Sequence, residues 1–443
     1  MPGNRWDLLD DAPTAPGDPA AASTPASPAV SVIVVHYRQQ AELDRTLAAL
    51  ARQDYDGPIE VTVVDDGSPV APVVPPAVRL IVQDDLGFRA GMARNRGARE
   101  SGGELLVFLD ADTTPEPGYV RAITRLPWLA PETVTVGRRR HADLAGTSPD
   151  DPIEECAPAR AIDEPQWLDT AYAQSRNLLD ADDRSYRFVI GAVMACSRWF
   201  FDEVGGFDEE FSEYGGEDWE WAYRSWARGG LLAHVPAAVA WHDGPDWSGR
   251  STADDDRMRR KNAETLILAS AIPVAGSRGL AVRSRRADSL VRVPDGFGAA
   301  ATFVTVDSLL TALPHAVVIV PDEHASLFAP DDRVLGNTES RAAADTTLAL
   351  VRVEVAVRQP VRVDAAAFAA AVARFADPTL GSLSLRSADA PDTELAVIAS
   401  VRARYRTGRW NDDTLFDAAI DTGGSVTPIA AEPDVEAYLG GWG

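Results

Sequence analysis

The sequence has few of the residues that mark several common protein classes. It contains two cysteines, Cys156 and Cys196, and one lysine, Lys261, in 443 residues. The two cysteines do not form a metal-ligand spacing, and we expect two reduced, partly buried thiols, although a disulfide between them stays open. No stretch approaches the ~20 apolar residues of a membrane span. No charged segment followed by an apolar run opens the chain, so we expect no secretory signal and a cytoplasmic protein.

Positive charge is also scarce. The formal net charge is -25 and the sequence pI is about 4.6. This balance argues against bulk nucleic-acid binding, which needs a basic face to displace counterions. It argues equally against electrostatic docking on anionic lipid. An acidic protein that binds a diphosphate needs a metal ion or a local basic patch.

The length of the chain predicts more than one domain, because a single core rarely grows beyond about 250–300 residues. Residues 1–28 are rich in Pro, Ala, Ser, Thr and Asp, and we predict a disordered leader there. Residues 29–272 contain every motif that we find, and we predict one catalytic domain over this range. Residues 273–443 have an Ala/Val-rich texture, which indicates a separate α+β domain of unknown role. No internal sequence repeat is evident.

Buried strands alternate with helices in the first part of the chain. Short β-branched runs predict strands, and leucines or alanines at helical spacing predict helices. The predicted strands are 30–36, 59–64, 78–82, 105–109 and 231–241, and the predicted helices are 42–52, 90–101, 199–206, 216–228 and 257–271. Residues 138–165 are predicted as a loop region. This alternation indicates an α/β fold, with a mostly parallel sheet and helices on both faces.

Three predicted strands deliver polar groups to one edge of this sheet. The first ends at His36, the second at Asp65-Asp66, and the fourth at Asp110-Ala111-Asp112. Ligands bind at the carboxyl ends of strands in such sheets. Carboxylate oxygens suit Mg²⁺ or Mn²⁺, so this edge is a candidate metal and ligand site. The alternative for Asp110 and Asp112 is a solvated turn that precedes the next helix.

Four blocks of sequence carry a family resemblance. VSVIVVHYRQQAELDRTLAAL, VTVVDDGS and DDLGFRAGMARNRGARESGGELLVFLDADTTPEPG resemble, in order and spacing, the large inverting family of nucleotide-sugar glycosyltransferases of GT-A fold, often called family 2. FVIGAVMACSRWFFDEVGGFDEEFSEYGGEDWEWAYRSWARGG resembles the C-terminal half of galactosyl- and N-acetylgalactosaminyltransferase catalytic domains. The resemblance covers about residues 30–245.

This resemblance implies a reaction and its cofactor. The expected activity is a hexosyltransferase-type transfer from a nucleotide-sugar donor, of the UDP type, to a hydroxyl of a glycan or other acceptor, with inversion. The expected cofactor is Mn²⁺ or Mg²⁺, held by Asp110, Asp112 and His242. Such an ion neutralises the charge that grows on the leaving diphosphate.

The resemblance also implies the remaining roles. Asp65 or Asp66 would contact the uracil or ribose of the donor, and Arg94 would lie near its diphosphate or ribose. We add His36 and Asp110 to the donor-binding residues, since both end strands at the same edge. Asp218 would be the general base for the acceptor hydroxyl, with Glu217 beside it contacting acceptor or donor sugar.

Each role has a structural alternative. Asp218 could cap its helix, Arg94 could be a surface residue, and His242 could be an ordinary partly buried histidine. A second hypothesis for the whole chain is a catalytically silent scaffold that binds a nucleotide sugar or glycan, which the presence of Asp110, Asp112 and Asp218 disfavours. A nucleotidyltransferase would usually open with a Gly-rich phosphate loop, and VSVIVVHYRQQ has none.

Overall fold

The chain forms two compact units. The computed structural model describes residues 3–9, 27–211, 215–245, 254–279, 282–343, 348 and 350–441. The first unit contains Asn4–Trp226 and Gly230–Thr265. The second unit contains Met1–Gly3, Ala227–Gly229 and Leu266–Gly443. The main division of the chain therefore follows Thr265, whereas we expected it after residue 272.

The first unit is built on an eight-stranded sheet in the order β3-β2-β1-β4-β7-β6-β8-β5. The strands are β1 (Val30–His36), β2 (Ile59–Asp65), β3 (Arg79–Val82), β4 (Leu105–Asp110), β5 (Thr113–Pro115), β6 (Thr133–Ala142), β7 (Val193–Ser197) and β8 (Leu231–Asp243). The pairs β2-β3, β1-β2, β1-β4 and β6-β8 are parallel. The pairs β4-β7, β6-β7 and β5-β8 are antiparallel. The predicted α/β fold with a mostly parallel sheet is confirmed.

Helices connect and cover these strands. They are α1 (Gln40–Leu50), α2 (Ala90–Arg99), α3 (Tyr119–Leu129), α4 (Ile153–Cys156), α5 (Gln166–Gln174), α6 (Arg198–Val204), α7 (Glu217–Ala227) and α8 (Asp254–Ala271). The strand order runs one way from β1 to β3 and then returns to β4. Because parallel crossovers are right-handed, this reversal puts α1 and α2 on opposite faces and opens a crevice at the ends of β1 and β4.

The predicted loop over 138–165 is wrong at its start. β6 extends to Ala142 and pairs in parallel with β8, with Arg140 opposite Trp241. The Arg140 guanidinium lies 4.3 Å from the centre of the Trp241 ring and donates to Glu164 at 2.8 Å. The charge of Arg140 favours a loop when only the sequence is considered. In the strand, this charge is stabilised by stacking on Trp241 and by the ion pair with Glu164.

Part of the predicted leader is packed against the first sheet. Asn4 is buried, and its side chain accepts from the Leu232 amide at 2.9 Å and donates to the Leu232 carbonyl at 2.8 Å. It also donates to the Leu178 carbonyl. A short 3-10 helix, Trp6–Leu9, follows. Asn4–Leu9 therefore differ from the disorder that we expected, and residues 10–26 lie outside the described residues.

The cysteines and the helices can be compared with what the sequence predicts. Cys156 and Cys196 are both free thiols. Cys196 is fully buried in β7, and this burial raises its pKa well above the usual value. Among the described helices, none is long and apolar enough to cross a membrane.

The second unit contains a seven-stranded sheet, in the order β11-β10-β9-β12-β15-β14-β16, and the separate pair β13-β17. Its strands are β9 (Ser289–Arg292), β10 (Ala316–Val320), β11 (Val334–Gly336), β12 (Val353–Val357), β13 (Val361–Val363), β14 (Leu380–Arg386), β15 (Glu394–Ser400), β16 (Asp417–Asp421) and β17 (Val426–Pro428). Its helices are α9 (Ala299–Ala312), α10 (Asp322–Ala325), α11 (Asn337–Ala343), α12 (Ala365–Ala373), α13 (Val401–Trp410) and α14 (Val435–Tyr438). We expected an α+β domain, and the unit combines parallel strands that alternate with helices, β9 to β12, with antiparallel pairs.

Candidate active site

A cavity of about 660 Å³ lies at the carboxyl ends of β1 and β4 in the first unit. Its lining contains nearly all residues predicted from the sequence: His36, Asp66, Arg94, Asp110, Asp112, Glu217, Asp218 and His242. Asp65 is the predicted residue that does not line it. The sequence separation of these residues is up to about two hundred positions, so the fold gathers them, as the strand-end rule predicts.

Asp112 and His242 face each other across two neighbouring strands. Thr113 of β5 is paired with His242 of β8, and the Asp243 amide donates to the Asp112 carbonyl at 2.9 Å. The His242 Nε2 atom lies 3.5 Å from the Asp112 Oδ2 atom. His242 Nδ1 lies 3.0 Å from the Gly244 carbonyl oxygen, which only accepts, so Nδ1 carries a proton. In neutral His242 the Nε2 lone pair is therefore aimed at a carboxylate.

This pair fits a divalent cation that takes its other ligands from a substrate. A histidine that ligates a metal commonly donates its second nitrogen to a backbone carbonyl, as His242 does. Within the described ranges, no group of three or more His, Cys, Asp or Glu side chains is arranged to hold a metal ion. Two protein ligands still suit Mg²⁺ or Mn²⁺, since such ions are often bound by one or two carboxylates plus substrate phosphates.

The turn that carries Asp112 is held in place by neighbouring side chains. The Thr46 hydroxyl of α1 donates to the Ala111 carbonyl at 2.8 Å. The Gln39 side-chain amide donates to Asp112 Oδ2 at 2.8 Å. On the adjacent strand, Asp243 is ion-paired with Arg45 and accepts from the Leu144 amide. These contacts orient the Asp112 carboxylate toward His242.

Arg94 connects the strand end to α7. Its guanidinium donates to Glu217 Oε1 at 2.7 Å and to Asp110 Oδ1 at 3.0 Å. Burial alone would lower the pKa of Arg94, but Asp110, Glu217 and Asp218 outweigh it and raise this pKa. Burial raises the pKa of Asp110, and Arg94 opposes that shift. Asp110 thus contacts Arg94 in this arrangement, and its role as a metal ligand stays a prediction.

Asp218 lies half-buried in the first turn of α7, and backbone groups hold both of its oxygens. Oδ2 accepts from the Gly191 amide and Oδ1 from the Trp219 amide, each at 2.8 Å. Burial, followed by the neighbouring Glu217, raises the pKa of Asp218 to about 7. A carboxyl group with such a pKa can exchange a proton near neutral pH.

The predicted donor-binding residues at the ends of β1 and β2 have separate environments. Asp65 is fully buried and accepts from His36 Nδ1 at 2.7 Å and from the Ser68 hydroxyl at 2.6 Å. His36 Nε2 accepts from the Gln39 amide at 3.1 Å. Asp65 therefore fixes His36 and the following turn from behind the cavity. Asp66 lines the cavity, and burial raises its pKa, while the Arg89 amide and Gln83 donate to its oxygens.

The cavity lining is predominantly acidic. Its charged residues are seven carboxylates, Asp66, Asp85, Asp110, Asp112, Glu217, Asp218 and Glu264, and two arginines, Arg94 and Arg139. Burial, followed by Glu217, raises the pKa of Glu264. A diphosphate entering this cavity would meet an excess of negative charge, which a divalent cation would offset.

Sequence reasoning missed four residues of this site. Gln39 contacts Asp112, and Gly191 contributes its amide to Asp218. Arg139 and Glu264 line the cavity. Arg139 lies within the range that the sequence predicts as a loop, and a strand assignment for this range would have placed it at the site. Gly191 and Glu264 carry no local signal, because only the fold brings them to the site.

Comparison with known families matches two regions of the chain. Residues 31–164 match the family described as Glycosyl transferase family 2. Residues 180–240 match the family described as N-terminal domain of galactosyltransferase. These two regions contain the blocks on which the family resemblance was based, and that resemblance is confirmed.

Individual relatives match the same part of the chain. Hyaluronan synthase of Pasteurella multocida is 27% identical over 266 residues, which are 55% of this chain and 27% of that protein. Validoxylamine A glucosyltransferase of Streptomyces hygroscopicus subsp. limoneus is 32% identical over 277 residues, 56% of this chain and 57% of that protein. The chain thus spans about a quarter and just over half of the length of these two relatives.

Among solved structures, GalNAc-T7 with UDP, GalNAc and Mn²⁺ superposes with a TM-score of 0.37 at 18% identity. This match covers 51% of this chain and 46% of that chain.

Proposed function

We propose that this chain, which belongs to glycosyl transferase family 2, transfers a sugar from a nucleotide-sugar donor to a hydroxyl of a glycan or other acceptor. One observation carries the proposal: a metal-compatible pair and a carboxyl group suited to act as a base line the same cavity. The pair is Asp112 and His242, and the base is Asp218. We further propose a UDP-type donor and inversion at the transferred sugar.

The cation site is formed by Asp112 and His242. Mn²⁺ or Mg²⁺ bound there would neutralise the charge that develops on the leaving diphosphate. The Asp112 carboxylate is oriented by its hydrogen bond from Gln39 and by the hydrogen bond from Thr46 to the neighbouring Ala111 carbonyl. His242 presents the Nε2 lone pair. Two other acidic residues of the lining, Asp110 and Glu217, are each ion-paired with Arg94.

Asp218 accepts the proton of the acceptor hydroxyl. The acceptor oxygen forms its bond to the anomeric carbon while the bond from that carbon to the diphosphate oxygen breaks, and the proton passes to the Asp218 carboxylate. A single displacement of this kind inverts the anomeric carbon. The pKa of about 7 allows Asp218 to be charged at neutral pH and basic enough to take the proton. Two backbone amides hold its oxygens, which limits the geometry from which it acts.

We place the binding site for the donor nucleoside at the carboxyl ends of β1 and β2. Asp66 presents a carboxylate there, and His36, fixed by Asp65, presents its ring to the cavity. Arg94 is a positioning residue that keeps Asp110 and Glu217 at fixed separation from the pair that binds the cation. The silent-scaffold alternative requires the same pocket without turnover, and metal-dependent donor hydrolysis distinguishes it from a transferase.

A panel of nucleotide sugars tests the proposal. The melting temperature of the full chain is measured with UDP-, GDP- and other nucleotide sugars, each with and without Mn²⁺ or Mg²⁺. One donor class is expected to raise the melting temperature only with the metal, because binding to the folded state alone stabilises it by mass action. The same donor should be hydrolysed or transferred when metal is present. If no nucleotide sugar raises the melting temperature and none is hydrolysed, the proposed function is wrong.

A further inference from the structure

The two sheets of this protein have the same topology. Each strand pair of the first unit has a counterpart of the same direction in the second unit, when β1 to β7 are matched in chain order to β9 to β15. Thus β9-β10, β10-β11 and β9-β12 are parallel, as are β1-β2, β2-β3 and β1-β4. The pairs β12-β15 and β14-β15 are antiparallel, as are β4-β7 and β6-β7.

The last strand is divided in the second unit. In the first unit β8 pairs with β6 in parallel along its whole length, with a register shift between Gly137 and Arg138, and its end also pairs with β5 in antiparallel direction. In the second unit β16 pairs in parallel with β14, and β17 pairs in antiparallel direction with β13. β16 and β17 together are therefore the counterpart of β8.

The pairing registers of the central strands of the two sheets agree. β1-β4 pairing begins at Val30↔Leu105, and β9-β12 pairing begins at Ser289↔Val353. Leu105 is also paired with Ser197 of β7, and Val353 is paired with Ser400 of β15. Both serines then cap the next helix: Ser197 accepts from the Phe200 amide and Ser400 from the Ala403 amide.

This register identifies the counterparts of the residues that line the cavity. Counting along β4 and β12 from Leu105 and Val353 matches Asp110 to Arg358 and Asp112 to Pro360. The register of the last strands gives the same answer independently, because Thr113↔His242 corresponds to Val361↔Pro428. The Ile429 amide donates to the Pro360 carbonyl at 3.0 Å, just as the Asp243 amide donates to that of Asp112.

The second sheet therefore has an arginine and two prolines where the first has two aspartates and a histidine. Proline offers no side-chain atom that ligates a cation or binds a phosphate, and Arg358 would repel a cation. Within the described residues, the second unit also has no helix that corresponds to α7, which carries the proposed base. The segment of the first unit that carries α7 follows α6, whereas in the second unit six residues, Asn411–Phe416, join α13 to β16.

The chain itself also approaches the strand ends of the second sheet. A Cβ atom on Gly298, in the segment after β9, would lie 3.4 Å from the Ala431 carbonyl oxygen and from a Glu432 carboxylate oxygen. These two residues follow β17, so the segment after β17 lies against the segment after β9.

We infer that residues 289–428 are a second copy of the fold of the first unit, one that has lost the metal ligands and the base, and that the chain has a single donor site. This inference rests on the proposed function for the nature of that site. It assigns the second unit a role other than donor binding and transfer chemistry.

Counting bound ligand in the full chain tests this inference. Equilibrium dialysis with Mn²⁺ and UDP is carried out on three proteins: wild type, the Asp112→Asn/His242→Ala variant, and the Arg358→Ala/Pro360→Ala/Pro428→Ala variant. We expect one UDP per chain for wild type and for the second-unit variant, and none for the first-unit variant. Circular dichroism of each variant confirms folding before binding is measured.

Two outcomes would overturn the inference: two UDP molecules per wild-type chain, or one that remains in the folded Asp112→Asn/His242→Ala variant and is lost in the second-unit variant. If wild type binds no UDP, the test is repeated with the nucleotide that the donor panel selects. If no nucleotide binds at all, the proposed function and the single donor site both fail, whereas the shared topology of the two units rests on strand pairing and is not affected.

Discussion

The ends of β4 and β12 occupy the same position in two sheets of the same topology, yet they present opposite chemistry. At the end of β4, Asp110 and Asp112 enter a cavity that also contains Arg94 and His242. At the end of β12, Arg358 is exposed and forms an ion pair with Glu394 at 3.4 Å. The comparison teaches that a fold and the site on it are separable, because strand pairing needs only backbone and buried apolar side chains.

The largest effect is expected from the proposed cation site. Asp112→Asn should lower transfer by at least ~10³-fold, because a cation in this position contributes several kcal/mol of charge stabilisation. Donor affinity with Mn²⁺ should fall as well, since the diphosphate would face the remaining carboxylates. Donor titration and transfer rates measure both effects. The matched variant Pro360→Ala should leave both unchanged, and Mn²⁺-dependent activity in Asp112→Asn would exclude Asp112 from the site.

The proposed base should give the next largest effect. Asp218→Asn is expected to lower the transfer rate by at least ~10²-fold while donor affinity stays close to that of wild type. Asparagine keeps the shape of the side chain, and its one side-chain oxygen can still accept from either the Gly191 or the Trp219 amide. Rate and affinity are measured on one preparation. Equal transfer rates would make Asp218 a capping residue and leave Glu217 as the next candidate for the base.

Removing Arg94 should lower stability more than removing Arg358, the residue at the position of Asp110 in the second sheet. Arg94→Gln leaves Asp110 and Glu217 without their buried partner, and we expect a loss of about 3–5 kcal/mol in the free energy of unfolding. Arg358→Gln, which removes an exposed ion pair, should cost no more than about 1 kcal/mol. Urea unfolding of both variants checks this difference. Similar small losses would show that Arg94 does not stabilise the cluster.

The smallest expected effect is the change of kcat/KM and of stability with pH. Asp218 acts as a base only when deprotonated, and burial raises its pKa to about 7. The kcat/KM for transfer should therefore fall about tenfold for each pH unit below 7 and level off above it. The raised pKa also means that the folded state favours protonated Asp218, so stability is lost as pH rises from the ordinary aspartate range through 7. Asp218→Asn should accordingly gain more in melting temperature at pH 8 than at pH 4, and an equal change at both would contradict the raised pKa.

The sequence predicts the first half of the sheet well because its strands are short, β-branched and buried. Val30–His36 and Leu105–Asp110 show this pattern, and their polar ends were correctly placed at one edge. β6 escaped prediction because its charged residues are satisfied by Trp241 and Glu164, which lie far away in sequence. The amide of Gly191 reaches Asp218 only through the fold. The repeated topology has no sequence signal, since backbone pairing preserves it while the side chains differ.

Asn4 has a practical consequence for where this polypeptide is trimmed or tagged. Its side chain contacts both the amide and the carbonyl of Leu232, as a neighbouring strand would, and so it completes the hydrogen bonding of β8 near its start. Cutting the chain at residue 28, where composition alone suggests the leader ends, would leave these buried groups without partners. Each orphaned group costs about 1–3 kcal/mol. β8 carries His242 near its other end, so a shortened amino terminus would loosen the start of the strand that reaches the cavity.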